Sequence, residues 1–148
     1  MLHRFEQFTL MLSRLNRYVH IIEDAEMKKF GLKGAHAHSL LVLSMNPNGL
    51  TAAQLSNYCE IDKAAVSRLI THLEKENLIY RNSENPYRAP IILSPKGVEI
   101  ANKVNEKILL AVAKASEGLS EKERAALYKS FDILSENLKA ICQKEGNK

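Results

Sequence analysis

From Leu50 to Arg81 the chain reads LTAAQLSNYC EIDKAAVSRL ITHLEKENLI YR. Thr51-Ala52-Ala53-Gln54 fits a capping box, in which the hydroxyl serves an orphan backbone N–H and the glutamine reaches back. A compact helix therefore begins there. Asp62 predicts the N-cap of a second helix running to about Glu76, its carboxylate accepting from first-turn amides. On a helical wheel Leu69, Ile70 and Leu73 fall within about 60° of Val66 at about 100° per residue, which makes them the inward face. The opposite face is Ala64, Arg68, Thr71 and Lys75, flanked by Ser67 on one side and by Ala65 and His72 on the other. Two β-rich segments follow, Leu78–Asn82 and Ala89–Leu93, joined by residues 83–88. Helix, turn, amphipathic helix and hairpin in that order predict a winged helix-turn-helix within 35–97.

The outward face of the second helix carries the chemistry. Small residues let a helix approach the floor of a DNA major groove, and a guanidinium can bond guanine O6 and N7 together. Arg68 is thus the first candidate for base reading, with Lys63, Ala64, Ser67, Thr71 and His72 beside it. Thr51 and Gln54 open the preceding helix, where polar side chains and backbone N–H groups suit phosphate. Arg81 and Arg88 flank the hairpin connection, with Asn82 and Tyr87 between them. A short basic hairpin can reach the neighbouring minor groove, where narrow A·T tracts attract arginine. Between Lys63 and Lys96 the basic residues are Lys63, Arg68, Lys75, Arg81, Arg88 and Lys96, against the acidic Glu74, Glu76 and Glu84. The overall formal charge of +4 points the same way, weakly, towards a polyanion.

The flanks are helical. Phe5, Phe8, Leu12, Leu15, Val19 and Ile22 recur at alternating gaps of three and four, the mark of a helix packed along a seam. Spanning about Leu2 to Lys29, that helix would be roughly 40 Å long at about 1.5 Å per residue. Phe30-Gly31-Leu32-Lys33-Gly34 breaks it, and helical spacing resumes from Ala35 to Met45 before the turn Asn46-Pro47-Asn48-Gly49. Ser94 caps a further helix with Pro95 at its first position, where the missing donor costs nothing; it runs to about Glu117. Ser120 to Glu123 forms a second capping box, opening a last helix with Leu127, Phe131, Leu134, Leu138 and Ile141 on one stripe. Glu145 onward reads as a frayed tail. The fold class is mainly α, an α+β winged helix. The chain reads as one domain, 1–148, with 1–30 and 98–145 forming a dimerisation layer around a two-fold axis. If the seams instead completed one protomer's own core, they would be buried within it.

Other classes find little support. No Ser-His-Asp, paired-carboxylate or glycine-rich phosphate pattern stands out, so no enzyme is expected. Cys59 and Cys142 lack a CxxC or a histidine-rich partner motif and read as free thiols. No metal site and no cofactor are expected. No apolar run approaches the ~20 residues of a membrane helix. The N-terminal Met1-Leu2-His3-Arg4-Phe5-Glu6 lacks a signal-peptide layout, so no membrane association and a cytoplasmic location are expected.

Taken together, Gly49 to Leu55, Val66-Ser67-Arg68-Leu69-Ile70, Leu73 to Ile79, and Leu93-Ser94-Pro95-Lys96-Gly97 resemble the MarR (multiple antibiotic resistance regulator) family along nearly the full length. The resemblance implies a homodimer bound to double-stranded DNA at a pseudo-palindromic operator, usually repressing, under small-molecule, metal or oxidant control. Family effectors bind between the dimer layer and the winged helices, which makes Tyr18, His20, His36, His38 and Met45 candidate lining for a small-molecule effector. His36 and His38 diverge by about 200° on one helix, so they cannot grip one ion unless the helix starts later. The family's turn glycine is Glu60 here, and the glycine before the first wing strand is Asn77, which can adopt a left-handed conformation. The wing's Asp-x-Arg would fall on Asn85 and Tyr87, with Arg88 displaced by one. The rival reading is a winged helix used for protein interaction without DNA; a glutamate-free recognition face argues against it.

Overall fold

A computed structural model describes residues 2–81 and 88–145, apart from the side chains of Leu2, Phe5 and Glu145. Its helices are α1 (Leu2–Lys28), α2 (Ala37–Ser44), α3 (Ala52–Cys59), α4 (Lys63–Lys75), α5 (Pro95–Ala115) and α6 (Glu121–Glu145). A 3₁₀ turn, Gly34–His36, precedes α2, and strands β1 (Ile79–Arg81) and β2 (Ile91–Leu93) lie between α4 and α5. This is the mainly α winged helix that the pattern predicts. The chain divides into two compact units, Met1–Leu109 and Leu110–Lys148, with the division falling inside α5.

The first unit is built around one apolar cluster. Leu40 and Leu43 of α2, Leu55 of α3, Val66, Leu69, Ile70 and Leu73 of α4, Ile79 and Ile91 of the strands, and Ile100, Ala101 and Val104 of α5 are all buried in it. Among the described side chains of α1, only Met27, in the last turn, joins them. Leu41 of α2 is only half-buried. Each fully buried aliphatic side chain contributes about 1.5–3 kcal/mol, so the cluster fixes α4 firmly by one face.

Local chemistry sets the element ends. Thr51 Oγ1 accepts from Gln54 N at 3.2 Å while Gln54 Oε1 accepts from Thr51 N at 2.9 Å, the expected reciprocal cap. Asp62 Oδ1 accepts from Ala65 N at 2.7 Å at the start of α4. The turn between these helices needs a left-handed residue, and Glu60 takes it at φ 52. At the far end of α4, Asn77 takes φ 57. Asn77 N then donates to Glu74 O and Leu78 N to Leu73 O, closing the helix with a Schellman pair.

The strands pair antiparallel with Ile79 opposite Leu93 and Arg81 opposite Ile91. Both begin later than expected, and the predicted end of the first strand, Asn82, lies outside the described residues. Leu50 adds an isolated bridge to Ile91, so the α2–α3 connection is stitched to the wing. Gly49 makes that approach feasible: it has φ 87, and a Cβ there would sit 2.7 Å from Pro90 Cβ. The helix predicted from Ala35 begins as a 3₁₀ turn instead. Gly34 N donates to Asp24 Oδ1 of α1 at 2.9 Å, which diverts the backbone before α2.

In the second unit, Ser120 N donates to Glu123 Oε2 at 2.8 Å and Glu123 N to Ser120 Oγ at 3.3 Å, the second predicted capping box. Leu127, Phe131, Leu134, Leu138 and Ile141 along α6 all remain exposed. On α1, Leu12 and Leu15 are exposed and Phe8 is half-buried. The Phe5 side chain lies outside the described residues. Each stripe is thus uncovered within its own unit.

Candidate nucleic-acid interface

Clamping Val66, Leu69, Ile70 and Leu73 inward turns Lys63, Ala64, Ser67, Arg68, Thr71 and Lys75 out to solvent. The Thr71 hydroxyl donates back to Ser67 O at 2.9 Å, so its own oxygen keeps accepting capacity on the surface. In the capping box the oxygens of Thr51 and Gln54 are used, which leaves the hydroxyl hydrogen and the carboxamide NH₂ to donate outward. Between the start of α3 and α4 lies a groove of about 480 Å³. Ala52, Ala53, Val66 and Ile70 contribute its apolar lining and Lys63, Ser67, Thr71 and Arg81 its polar lining. An apolar floor with donors at its rim suits a base edge that carries a methyl group, such as thymine.

Two expected site residues are held in ways the sequence did not disclose. Arg81 Nε donates to Glu74 Oε1 at 2.7 Å, tying β1 to α4 through a partly exposed ion pair. Such a pair contributes at most about 1 kcal/mol, so its role is chiefly to orient the guanidinium. His72 is half-buried rather than turned out beside Arg68: its ring lies 4.9 Å, centroid to centroid, from that of His36, tilted by 37°. Arg88 is exposed just before β2. Asn82, Asn85 and Tyr87, which complete the expected wing tip, lie outside the described residues.

The segment Leu93 to Gly97 locks this arrangement. Ser94 Oγ donates to Asn77 O at 2.7 Å and accepts from Gly97 N at 3.0 Å, joining the end of α4 to the start of α5. Lys96 Nζ donates to Glu76 O at 2.9 Å, a cation on the carbonyl end of α4. A Cβ at Gly97 would collide with Leu78 O, so only glycine permits this approach.

The candidate effector residues are scattered in character. Tyr18, His38 and Met45 are exposed, and His20 Nδ1 lies 2.9 Å from Glu23 Oε2. His36 lines a cleft of about 360 Å³ bounded also by Lys33, Ser39, Arg68 and His72. Cys59 Sγ lies 3.7 Å from Ser39 Oγ, and burial pushes its thiol pKa up, away from reactive thiolate. Among the described residues no group of three or more His, Cys, Asp or Glu could hold a metal ion. No helix among them is long and apolar enough to cross a membrane.

Residues 30–88, the segment that holds α2 to α4 and β1, match a family model described as MarR family. Over that segment the chain is similar to the MarR family. A MarR transcriptional regulator from Methanosarcina mazei Go1 superposes with a TM-score of 0.80 at 22% identity, covering 92% of each chain. The transcriptional regulator SlyA gives 0.80 at 22% identity over 88% of this chain and 93% of its own. A MarR-family transcriptional regulator from Silicibacter pomeroyi gives 0.75 at 20% identity over 86% of each chain. At such identities these likenesses establish the fold alone, one shared with these solved regulators. A search of the curated proteins finds no significant match.

Proposed function

We propose that this chain is a cytoplasmic DNA-binding transcriptional regulator, a homodimer that represses from a pseudo-palindromic operator and is released by a small-molecule effector. The observation that carries the reading is the two-sided character of α4. One face is buried among aliphatic side chains, and the other offers small residues, hydroxyls, Arg68 and two lysines with no acidic residue among them. A helix held so can lie in a major groove with Arg68 directed at a guanine edge and Ser67 and Thr71 beside it. Lys63, Thr51 and Gln54 serve neighbouring phosphates, and Arg88 reaches the adjacent minor groove. Ala64 lets the backbone come close. Residues 35–97 form the reading unit, and 1–30 with 98–145 supply dimerisation through the exposed seams of α1 and α6. Two-fold symmetry then sets paired recognition helices about one helical turn of DNA apart, roughly 34–36 Å.

The test is selection of genomic fragments by the purified protein, followed by titration of the enriched duplex at several salt concentrations. A regulator shows a shared two-fold sequence bound at least about 10³ times more tightly than random duplex. Weak binding without sequence preference at physiological salt would sink the proposal.

A further inference from the structure

Half-buried between the 3₁₀ turn and α4, His36 and His72 form a pair that the DNA-reading role does not use. Their rings are 4.9 Å apart, and His36 Nδ1 and His72 Nε2 are both buried without a hydrogen-bond partner among the described residues. The cleft they line is also bounded by Arg68, the residue assigned to base reading. We infer that His36 is a positioning residue for α4: its uncharged ring, packed on that of His72, seats the recognition helix, and acidification, by charging His36, unseats the helix and weakens DNA binding. This inference rests on the function proposed above.

The surroundings explain why charge cannot be accommodated. Lys33, just ahead of the turn, and Arg68, on α4, are the cations facing the pair, and none of the residues lining the cleft is acidic. α2 contributes Ser39, which the Cys59 thiol of α3 approaches, and the α3–α4 turn contributes Ile61. The carboxylate of α1 that reaches the 3₁₀ turn, Asp24, is engaged with Gly34 N. An imidazolium carries N–H on both nitrogens, so protonation would add a charged, unpaired donor in a partly desolvated site. Burial first, then the charge of His72 and then Lys33 hold the His36 pKa below the usual histidine value. The sign follows. Stability from the neutral ring is complete above the unfolded value of about 6.5 and is lost as pH falls through and below it.

The experiment follows two readouts on the full chain at fixed ionic strength, from about pH 8 to about pH 5.5, the range in which histidine titrates. One is affinity for a fluorescein-labelled duplex of the best-enriched genomic fragment. The other, without DNA, is the protection factor of α4 amides in hydrogen exchange, with α5 amides as reference. Wild type is expected to bind several-fold more weakly at the acid end and to lose α4 protection selectively. His36→Phe keeps a ring but cannot titrate; it should hold its affinity across the range, and His36→Gln serves if the phenylalanine variant fails to fold. Tighter binding in acid, as a general gain of positive charge would produce, overturns the inference. So does an equal acid loss in the His36 variants. Failure to bind DNA at any pH, with acid-sensitive α4 protection confined to wild type, would remove the regulator reading and leave the histidine hold standing.

Discussion

Arg68 and Glu60 represent two different demands on a single position. Arg68 is exposed on a helix whose other face is buried, so removing its guanidinium should leave folding intact and change reading. Arg68→Ala is expected to weaken binding to the enriched duplex by about 1–3 kcal/mol and to relax preference at one base pair per half-site. Arg68→Lys should not restore that preference, because an ammonium cannot make the planar two-bond contact. Fluorescence anisotropy against duplexes substituted one pair at a time measures both effects. Glu60 sits at φ 52 and ψ 40, a region costing an ordinary residue about 1 kcal/mol or more. Glu60→Gly is expected to raise unfolding stability by about 0.5–1 kcal/mol after the flexibility glycine adds to the unfolded chain. Urea denaturation measures it, and a loss of stability would contradict the strain assigned there. Asn77, at φ 57, shows why that position was legible beforehand: a short amide side chain tolerates the left-handed region.

Elements were legible where their signals are local. Both capping boxes and the Asp62 cap form as the sequence implies, because each needs only residues three apart. The inward face of α4 follows from period alone. What escaped depends on distant partners. The start of α2 is displaced by a bond from Gly34 to Asp24, ten residues earlier, and the His36–His72 stack joins positions no spacing rule links. Arg81 looked like a free wing residue, yet Glu74 holds it. The junction of wing and α5 has its own test. Gly97→Ala would gain about 1 kcal/mol of helix propensity, but its Cβ collides with the Leu78 carbonyl. Overpacking against backbone costs about 1–3 kcal/mol or more. A net loss of stability with impaired DNA binding is expected, read by denaturation and by gel shift. On the wing itself, Arg88→Ala should weaken binding by about 1–3 kcal/mol and lower the slope of log affinity against log salt by about one. Unchanged affinity across salt would take Arg88 and the wing out of the DNA interface.

For the molecule as a whole, the exposed stripes on α1 and α6 bear on the proposed dimer. Leu12, Leu15, Leu127, Phe131, Leu134, Leu138 and Ile141 are too regularly spaced and too apolar to be ordinary surface. A dimer joined through them has twice the 16.7 kDa chain mass. Leu15→Glu and Leu138→Glu, introduced separately, should each shift light-scattering mass towards the single chain and abolish tight operator binding. A stable dimer in both variants would remove these seams from the interface. The sequence made the stripes visible through their period, but not which surface covers them, since covering is a property of the partner.

In the proposed dimer those uncovered leucines would tie folding to abundance. A chain that reaches its full stability only when paired melts at a temperature that climbs with its own concentration, by mass action. The number of copies a cell holds would then govern how many are fit to grip an operator. A small drop in synthesis would empty the site twice over, through fewer molecules and through a smaller paired fraction among them.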